Sequence, residues 1–186
     1  MKKNLISMKT VILLIFIFLI PINGNSMIID DLQNPESRKW IYFTDTVMGG
    51  ISSGKLAYQI DEDEKYYRLT GDVNTENNGG FIQFATEIKK VDNNNFTGIR
   101  LRVRGNGESY QLHLRTRMTK LPWQYYSQEF ITTEDWNVVE LRFSKFKKSN
   151  FYQPKSFKPN AIRSIGIVAI GKDFQAEIDL AHIEFF

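Results

Sequence analysis

The sequence contains no cysteine. That excludes disulfides, thiolate-bound zinc and a lipid-modified cysteine at a signal cleavage site, so the stability of the fold has to come from its core. Histidine is nearly as scarce. His113 and His182 are the only two, and they do not stand at metal-ligand spacing. A structural or catalytic zinc site therefore has no ligand set. There is no P-loop and no dinucleotide fingerprint, and Arg104-Gly105-Asn106-Gly107-Glu108-Ser109 reads as a turn. No long segment repeats apolar residues at helical spacing, which leaves little room for a helical domain.

What is present begins with a leader. Lys2, Lys3 and Lys9 precede an apolar run from Val11 to Ile20, and Pro21, Gly24 and Ser26 follow it. A charged start, an apolar middle and a small-residue exit describe a secretory signal peptide. The run falls short of the roughly 20 apolar residues of a comfortable membrane span. The sequence therefore predicts export, periplasmic or secreted, either with cleavage after Ser26 or with residues 1–26 retained as an N-terminal anchor. That anchor would be the chain's one link to a membrane. Residues 27–186 then form a single domain, long enough to bury a core and too short for two. The whole chain has 24 Lys and Arg against 21 Asp and Glu, but the leader takes three Lys, which leaves 21 against 21. A neutral domain argues against nucleic acid as a partner and against a general anionic-membrane role.

The mature chain reads as strands almost throughout. In Gly98–Gly105, Ile99, Leu101 and Val103 alternate with Arg100, Arg102 and Arg104. In Ser109–Thr116, Tyr110, Leu112 and Leu114 alternate with Gln111, His113 and Arg115. Period-two alternation is the signal of a half-buried strand, and the Gly-Asn-Gly-Glu between the two runs predicts a hairpin. About ten such runs, separated by polar turns, predict an all-β fold, a jelly-roll β-sandwich. Asn34–Trp40 and Ser156–Ser164 each have room for a helical turn.

Two local patterns invite chemistry. Gly50-Ile51-Ser52-Ser53-Gly54 matches the G-x-S-x-G of a hydrolase nucleophile elbow. An elbow is followed by a helix, whereas Lys55-Leu56-Ala57-Tyr58-Gln59-Ile60 alternates as a strand, so Ser52 reads as part of a Gly-rich connection and not as a nucleophile. Asp61–Glu64 is a carboxylate run joining two strands and reads as a solvated turn. Asp30, Asp31, Glu177 and Asp179 lie near the two ends of the domain. Terminal strands are neighbours in many jelly rolls, so these four could hold a structural calcium; paired surface carboxylates are the simpler reading. No other cofactor is expected.

Taken in order, the motifs resemble one family. Asp30–Leu56 holds a Trp and then Asp-x-x-Met-Gly-Gly-x-Ser. Leu69–Phe84 leads into an Asn-Gly-Gly-Phe turn. Gly98–Thr116, Tyr125–Phe146 and Ile162–Phe186 follow as further blocks. This ordered set is similar to the complex I intermediate-associated protein family and covers nearly all of the mature chain. The resemblance implies a galactose-binding-like jelly roll and no enzymatic activity. The family's mitochondrial member assists assembly of respiratory complex I, binding its intermediates. The implied function is therefore that of a binding or assembly-factor domain with a protein partner from a membrane complex. An exported carbohydrate-binding module with a glycan partner is the alternative, because such modules share the fold. The resemblance makes Asp45, Met48, Gly49, Gly50 and Ser52 a signature loop, with Gly79 and Gly80 contributed by the second block.

The expected hairpin supplies a candidate partner- or ligand-binding surface. Its polar side would gather Arg102, Arg104, His113 and Arg115, with Trp123 and Tyr126 beside them if the next strand pairs there. Arg and exposed aromatics are enriched at protein interfaces, and an aromatic platform suits a sugar ring equally. The plainer alternative is an ordinary polar sheet face whose Arg stems cover apolar surface. Trp40 and Trp136 each adjoin a strand and are expected in the core. Cell fractionation tests the leader: the chain is expected outside the cytoplasm. Recovery of uncleaved, full-length chain from the cytoplasmic fraction alone would overturn the export reading.

Overall fold

The computed structural model describes residues 26–62, 64–92 and 95–186. The Val11–Ile20 run and its cleavage region up to residue 25 lie outside the described residues, so export rests on the sequence. Twelve strands are present among the described residues: β1 (Met27–Asp30), β2 (Ile41–Thr44), β3 (Ser53–Asp61), β4 (Glu64–Val73), β5 (Phe81–Glu87), β6 (Gly98–Gly105), β7 (Ser109–Thr116), β8 (Tyr126–Ile131), β9 (Asn137–Arg142), β10 (Lys147–Lys148), β11 (Ile162–Ile170) and β12 (Phe174–Phe185). The ten expected strands are all there. The two additional ones are β1, four residues long, and β10, two residues long. There is no α-helix among the described residues. One 3-10 turn, Pro159–Ala161, falls where a helical turn was anticipated, whereas Asn34–Trp40 forms only a β-turn closed by Ser37 N–H on Asn34 O.

The strands form two antiparallel sheets. The first runs β3-β4-β12-β6-β9, with β1 alongside the end of β12; the second runs β10-β8-β7-β11-β5-β2. Side chains from the inner faces meet between them. Ile99, Leu101 and Val103 of β6 and Tyr110, Leu112 and Leu114 of β7 are all 0 % exposed. β12 is the spine of the first sheet, pairing with β4 over Phe174–Leu180 and with β6 over Ile178–Phe185. A bulge at Ala181 shifts its register, so that Leu180 and Ile183, three apart, both face the core. The connections β2→β3 and β9→β10 each join an edge strand of one sheet to an edge strand of the other.

The β6–β7 hairpin does not form. β6 pairs with β12 and β9, whereas β7 pairs with β8 and β11. The turn between them crosses from one sheet to the other, held by Gly105 N–H on Thr133 O and Asn106 N–H on Glu177 O. The two apolar rows therefore face each other across the core instead of lying side by side. Their polar rows point out of opposite sides of the sandwich. Burial alone does not decide between the two arrangements, since the neighbouring rows of β4, β12 and β6 share one side of a sheet and are buried as well; the pairing partners of β6 and β7 decide it.

The core assignment is testable at Leu112. Leu112→Ala is expected to cost about 2–5 kcal/mol, read as a lower urea midpoint at unchanged slope. A loss below about 1 kcal/mol would contradict its place in the packed interior.

Candidate functional site

The Gly-rich loop is built around one carboxylate. After β2, Thr44 caps a 3-10 turn over Asp45–Met48, accepting from Thr46 N–H at 3.2 Å, and Gly49 leaves the turn with φ +90°. This brings the Asp45 side chain inward, where it is 0 % exposed. It accepts hydrogen bonds from Ser52 N–H at 3.0 Å, Gly80 N–H at 2.5 Å, Phe81 N–H at 3.2 Å and the Ser52 hydroxyl. Burial by itself pushes this carboxyl up. The bonds from Ser52, Gly80 and Phe81 outweigh it and hold the group below the usual carboxylate range. Gly50 and Gly79 press against the same carboxylate. A Cβ would stand 2.3 Å from Asp45 Cγ at Gly50 and 2.5 Å from Oδ2 at Gly79. Space is therefore what requires glycine at Gly50, while the left-handed φ falls at Gly49 and Gly80.

Of the signature residues, Asp45, Gly50, Ser52, Gly79 and Gly80 thus form one clasp, with Gly49 shaping its turn. Met48 does not join it; with Val47 and Ile51 it points into solvent. Ser52 is 1 % exposed, and its hydroxyl bonds Asp45 and accepts from Asn74 N–H at 3.0 Å. A buried hydroxyl held in this way is a tie between segments, not a nucleophile.

The surface anticipated from the hairpin is divided. Arg102 and Arg104 lie on the outer side of the first sheet. His113 and Arg115 lie on the outer side of the second. His113 is 8 % exposed, stacks on the Tyr125 ring at 3.9 Å and bonds Gln111 Oε1 at 2.9 Å. Burial, with Arg115 adding to it, pushes His113 down to about 3, so it is neutral. Arg115 donates to Leu121 O at 2.6 Å. Tyr126 belongs to the core, its hydroxyl donating to Pro154 O at 2.9 Å. Trp123 is exposed on the β7–β8 connection.

Arg102 and Arg104 have other companions. Asp179 on β12 is 1 % exposed and lies between β4 and β6. Arg68 grips it with two bonds of 2.7 Å, and Arg104 Nε adds a third at 2.7 Å. The bonds to Asp179 push the Arg68 guanidinium up, so it stays charged. Arg104 lies over Tyr66 at 5.0 Å and Trp136 at 4.7 Å, while Arg102 lies over Trp136 at 5.1 Å and pairs with Glu64. Tyr66 and Trp136 meet edge to face at 5.5 Å. Beside them Asp61, Glu62, Glu64, Arg104 and Trp136 line an open depression of about 430 Å³. Trp136 is thus a half-buried surface residue and not a core one, whereas Trp40 is in the core as expected.

Sequence reasoning missed Tyr66, Arg68 and Trp136 as site residues and offered Asp179 only as a candidate calcium ligand. A parity signal for Trp136 existed: it shares a phase with Val138, Glu140 and Arg142, opposite to Val139 and Leu141. The carboxylates offered as calcium ligands are otherwise engaged. Asp30 accepts from Trp40 Nε1 at 2.8 Å and Leu32 N–H at 2.9 Å, and Asp179 holds the two arginines. Among the described residues no three His, Asp or Glu side chains are grouped to hold a metal ion.

Two variants test this account. Asp45→Asn places an NH2 against N–H donors and is expected to cost about 1–3 kcal/mol. The pH dependence has a defined sign. Below the ordinary histidine value of 6.5 the unfolded chain protonates at His113 while the folded one does not until about 3, so stability falls as pH drops through that window. The contribution of Asp45, with its lowered value, is present above the ordinary 3.8 and is lost as pH falls below it. Urea midpoints should therefore decline from pH 7 towards pH 4, and His113→Gln should flatten the upper part of the decline. A flat wild-type profile would contradict a neutral, buried His113.

Solved structures share the fold. The family 11 carbohydrate-binding module of the cellulosomal cellulase Lic26A-Cel5E of Clostridium thermocellum superposes with a TM-score of 0.71 at 12% identity, covering 87% of this chain and 94% of that one. The Clostridium thermocellum family 11 module in complex with a β-1,3-1,4-mixed-linked tetrasaccharide gives 0.69 at 12% identity, covering 87% and 95%. A family 30 carbohydrate-binding module gives 0.53 at 12% identity, covering 74% and 91%. At such identities the likeness establishes the galactose-binding-like jelly roll and nothing finer. No curated protein matches the chain. The model of complex I intermediate-associated protein 30 matches residues 30–180, and the chain belongs to that family.

Proposed function

We propose that this chain is a non-catalytic binding domain that holds a protein partner, an assembly intermediate of a membrane complex, on the outer side of the first sheet. Through its leader it would do so on the exported side of the membrane. The observation that supports this is the cluster of Arg102, Arg104 and Trp136 seated on the buried Tyr66 ring, with Arg68 and Arg104 fixed by Asp179 and Arg102 paired with Glu64. Arg and Trp are among the side chains that dominate interface energetics, and here they are held in place before any partner arrives. Val138, 58 % exposed, stands beside Arg102 and adds an apolar spot to the rim of charge. Family membership points in the same direction. The buried hydroxyl of Ser52 and the neutral, stacked His113 offer no catalytic pair.

One feature favours a glycan instead. Trp136 borders a depression with Asp61, Glu62 and Glu64, a ring beside carboxylates that would suit a sugar face and its hydroxyls. A photo-crosslinking residue at Val138 in the full chain separates the readings in the native envelope. The expected result is a recurrent adduct with a subunit of a membrane complex, reduced about 30-fold by Trp136→Ala at an unchanged melting temperature. Absence of any protein adduct, together with retardation in a β-1,3-1,4-glucan gel that Trp136→Ala abolishes, would overturn the first reading and establish the second.

A further inference from the structure

The net neutrality of residues 27–186 conceals an uneven placement of charge. The β7–β8 connection (residues 117–125) and the segment 145–158 together hold seven Lys and Arg and no Asp or Glu. The rest of the domain then carries 14 Lys and Arg against 21 Asp and Glu. The two segments sit side by side. Ser149 N–H donates to Tyr125 O at 2.9 Å, Ser149 Oγ donates to Trp123 O at 2.7 Å, and Gln153 Nε2 donates to Tyr125 O at 3.0 Å. β10, inside the second segment, pairs with β8 at the end of the first. All seven cationic residues are exposed, and none pairs with a carboxylate among the described residues.

The same end carries large apolar side chains in solvent. Tyr152 is 87 % exposed, Phe151 83 %, Met118 65 % and Trp123 58 %. These are not loose tips. Lys148 Nζ donates to Phe151 O at 2.7 Å and Gln153 O at 3.0 Å, which closes a tight loop beneath the two rings. Rings this exposed add little to the packing of the described residues: Lys148 Nζ lies 5.3 Å from the Phe151 ring centroid and the two rings meet edge to face at 5.6 Å. Exposed apolar groups of this kind mark interaction sites.

We propose that this end of the sandwich docks on an anionic phospholipid surface, with Trp123, Phe151 and Tyr152 entering the headgroup layer and the surrounding lysines meeting the lipid phosphates. Aromatic rings prefer the membrane–water interface, and basic residues beside them are drawn to its negative potential, by about fivefold in affinity per residue. Fixed loops lose little freedom on docking, which favours a broad, shallow contact. The site is separate from the Asp179 face and does not depend on the function proposed for it. Charge complementarity admits an acidic protein or a nucleic acid as well, but the thioether of Met118 and the two adjacent rings fit the apolar layer beneath a phosphate plane.

The cysteine-free sequence makes the test specific. Tyr152→Cys in the full chain, labelled with an environment-sensitive nitrobenzoxadiazole dye, reports this tip alone. Ile60→Cys, on the edge strand β3 of the other sheet, controls for attachment through the leader. Vesicles of phosphatidylcholine containing phosphatidylglycerol are expected to blue-shift and brighten the dye at position 152 and not at position 60. Phosphatidylcholine alone should do neither. Lys145→Glu with Lys147→Glu should weaken the response at least about tenfold, as should raised salt. No response at position 152, equal responses at both positions, or a stronger response to a single-stranded RNA oligonucleotide than to the vesicles would each overturn the proposal.

Discussion

The carboxylate of Asp179 is almost fully withdrawn from water, and arginines from the strands on either side close over it. One anion beneath two guanidiniums cannot balance them. The remaining charge is met from the rim, by Glu177 at 3.9 Å from Arg68 and by Asp61 at 3.6 Å from Arg104. A buried ion pair adds little net stability, because desolvation offsets the attraction. What it does impose is position. With their planar heads fixed by Asp179, Arg68 and Arg104 lie over Tyr66 at 5.5 and 5.0 Å, and Trp136 is held against Arg104. The shape of the outer face thus follows from one side chain on the central strand.

The second buried carboxylate has a different task. Asp45 follows β2 and receives N–H groups from Ser52 just before β3, from Gly80 in the β4–β5 connection and from Phe81 at the start of β5. Its own loop and a connection 35 to 36 residues further on converge on one anion, and two glycines make room for it. The G-x-S-x-G spacing around Ser52 arises from that geometry: glycine because a side chain would collide, serine because its hydroxyl reaches both Asp45 and Asn74. A pattern associated with nucleophiles here serves a joint.

The fold was legible because alternation is local. Every apolar row that the sequence displays in β6 and β7 is buried. Which strand lies beside which is not local. The Gly-Asn-Gly-Glu turn satisfies the backbone of a hairpin and of a crossing between sheets equally well, and only the partners on either side distinguish them. That one ambiguity sent Arg102 and His113 to opposite sides of the molecule. The Asp179 cluster was beyond reach for a related reason: its arginines are separated from it by 75 and 111 residues, and nothing in the neighbourhood of Asp179 in the chain announces them. Ser149 and Gln153, which fix the basic end, likewise contact residues 24 to 28 positions away.

Both side seams of the sandwich are crossed by a short stretch of chain, the Asp45 loop between β2 and β3 on one side and the Phe143–Phe146 turn between β9 and β10 on the other. A two-layered body fastened along one seam can swing open like a book; fastened along both, it cannot, and neither layer can slide far over the other. Many small domains sew such seams with disulfides. Here chain connectivity does the sewing, so a reductant, which loosens many exported domains, has nothing to cut.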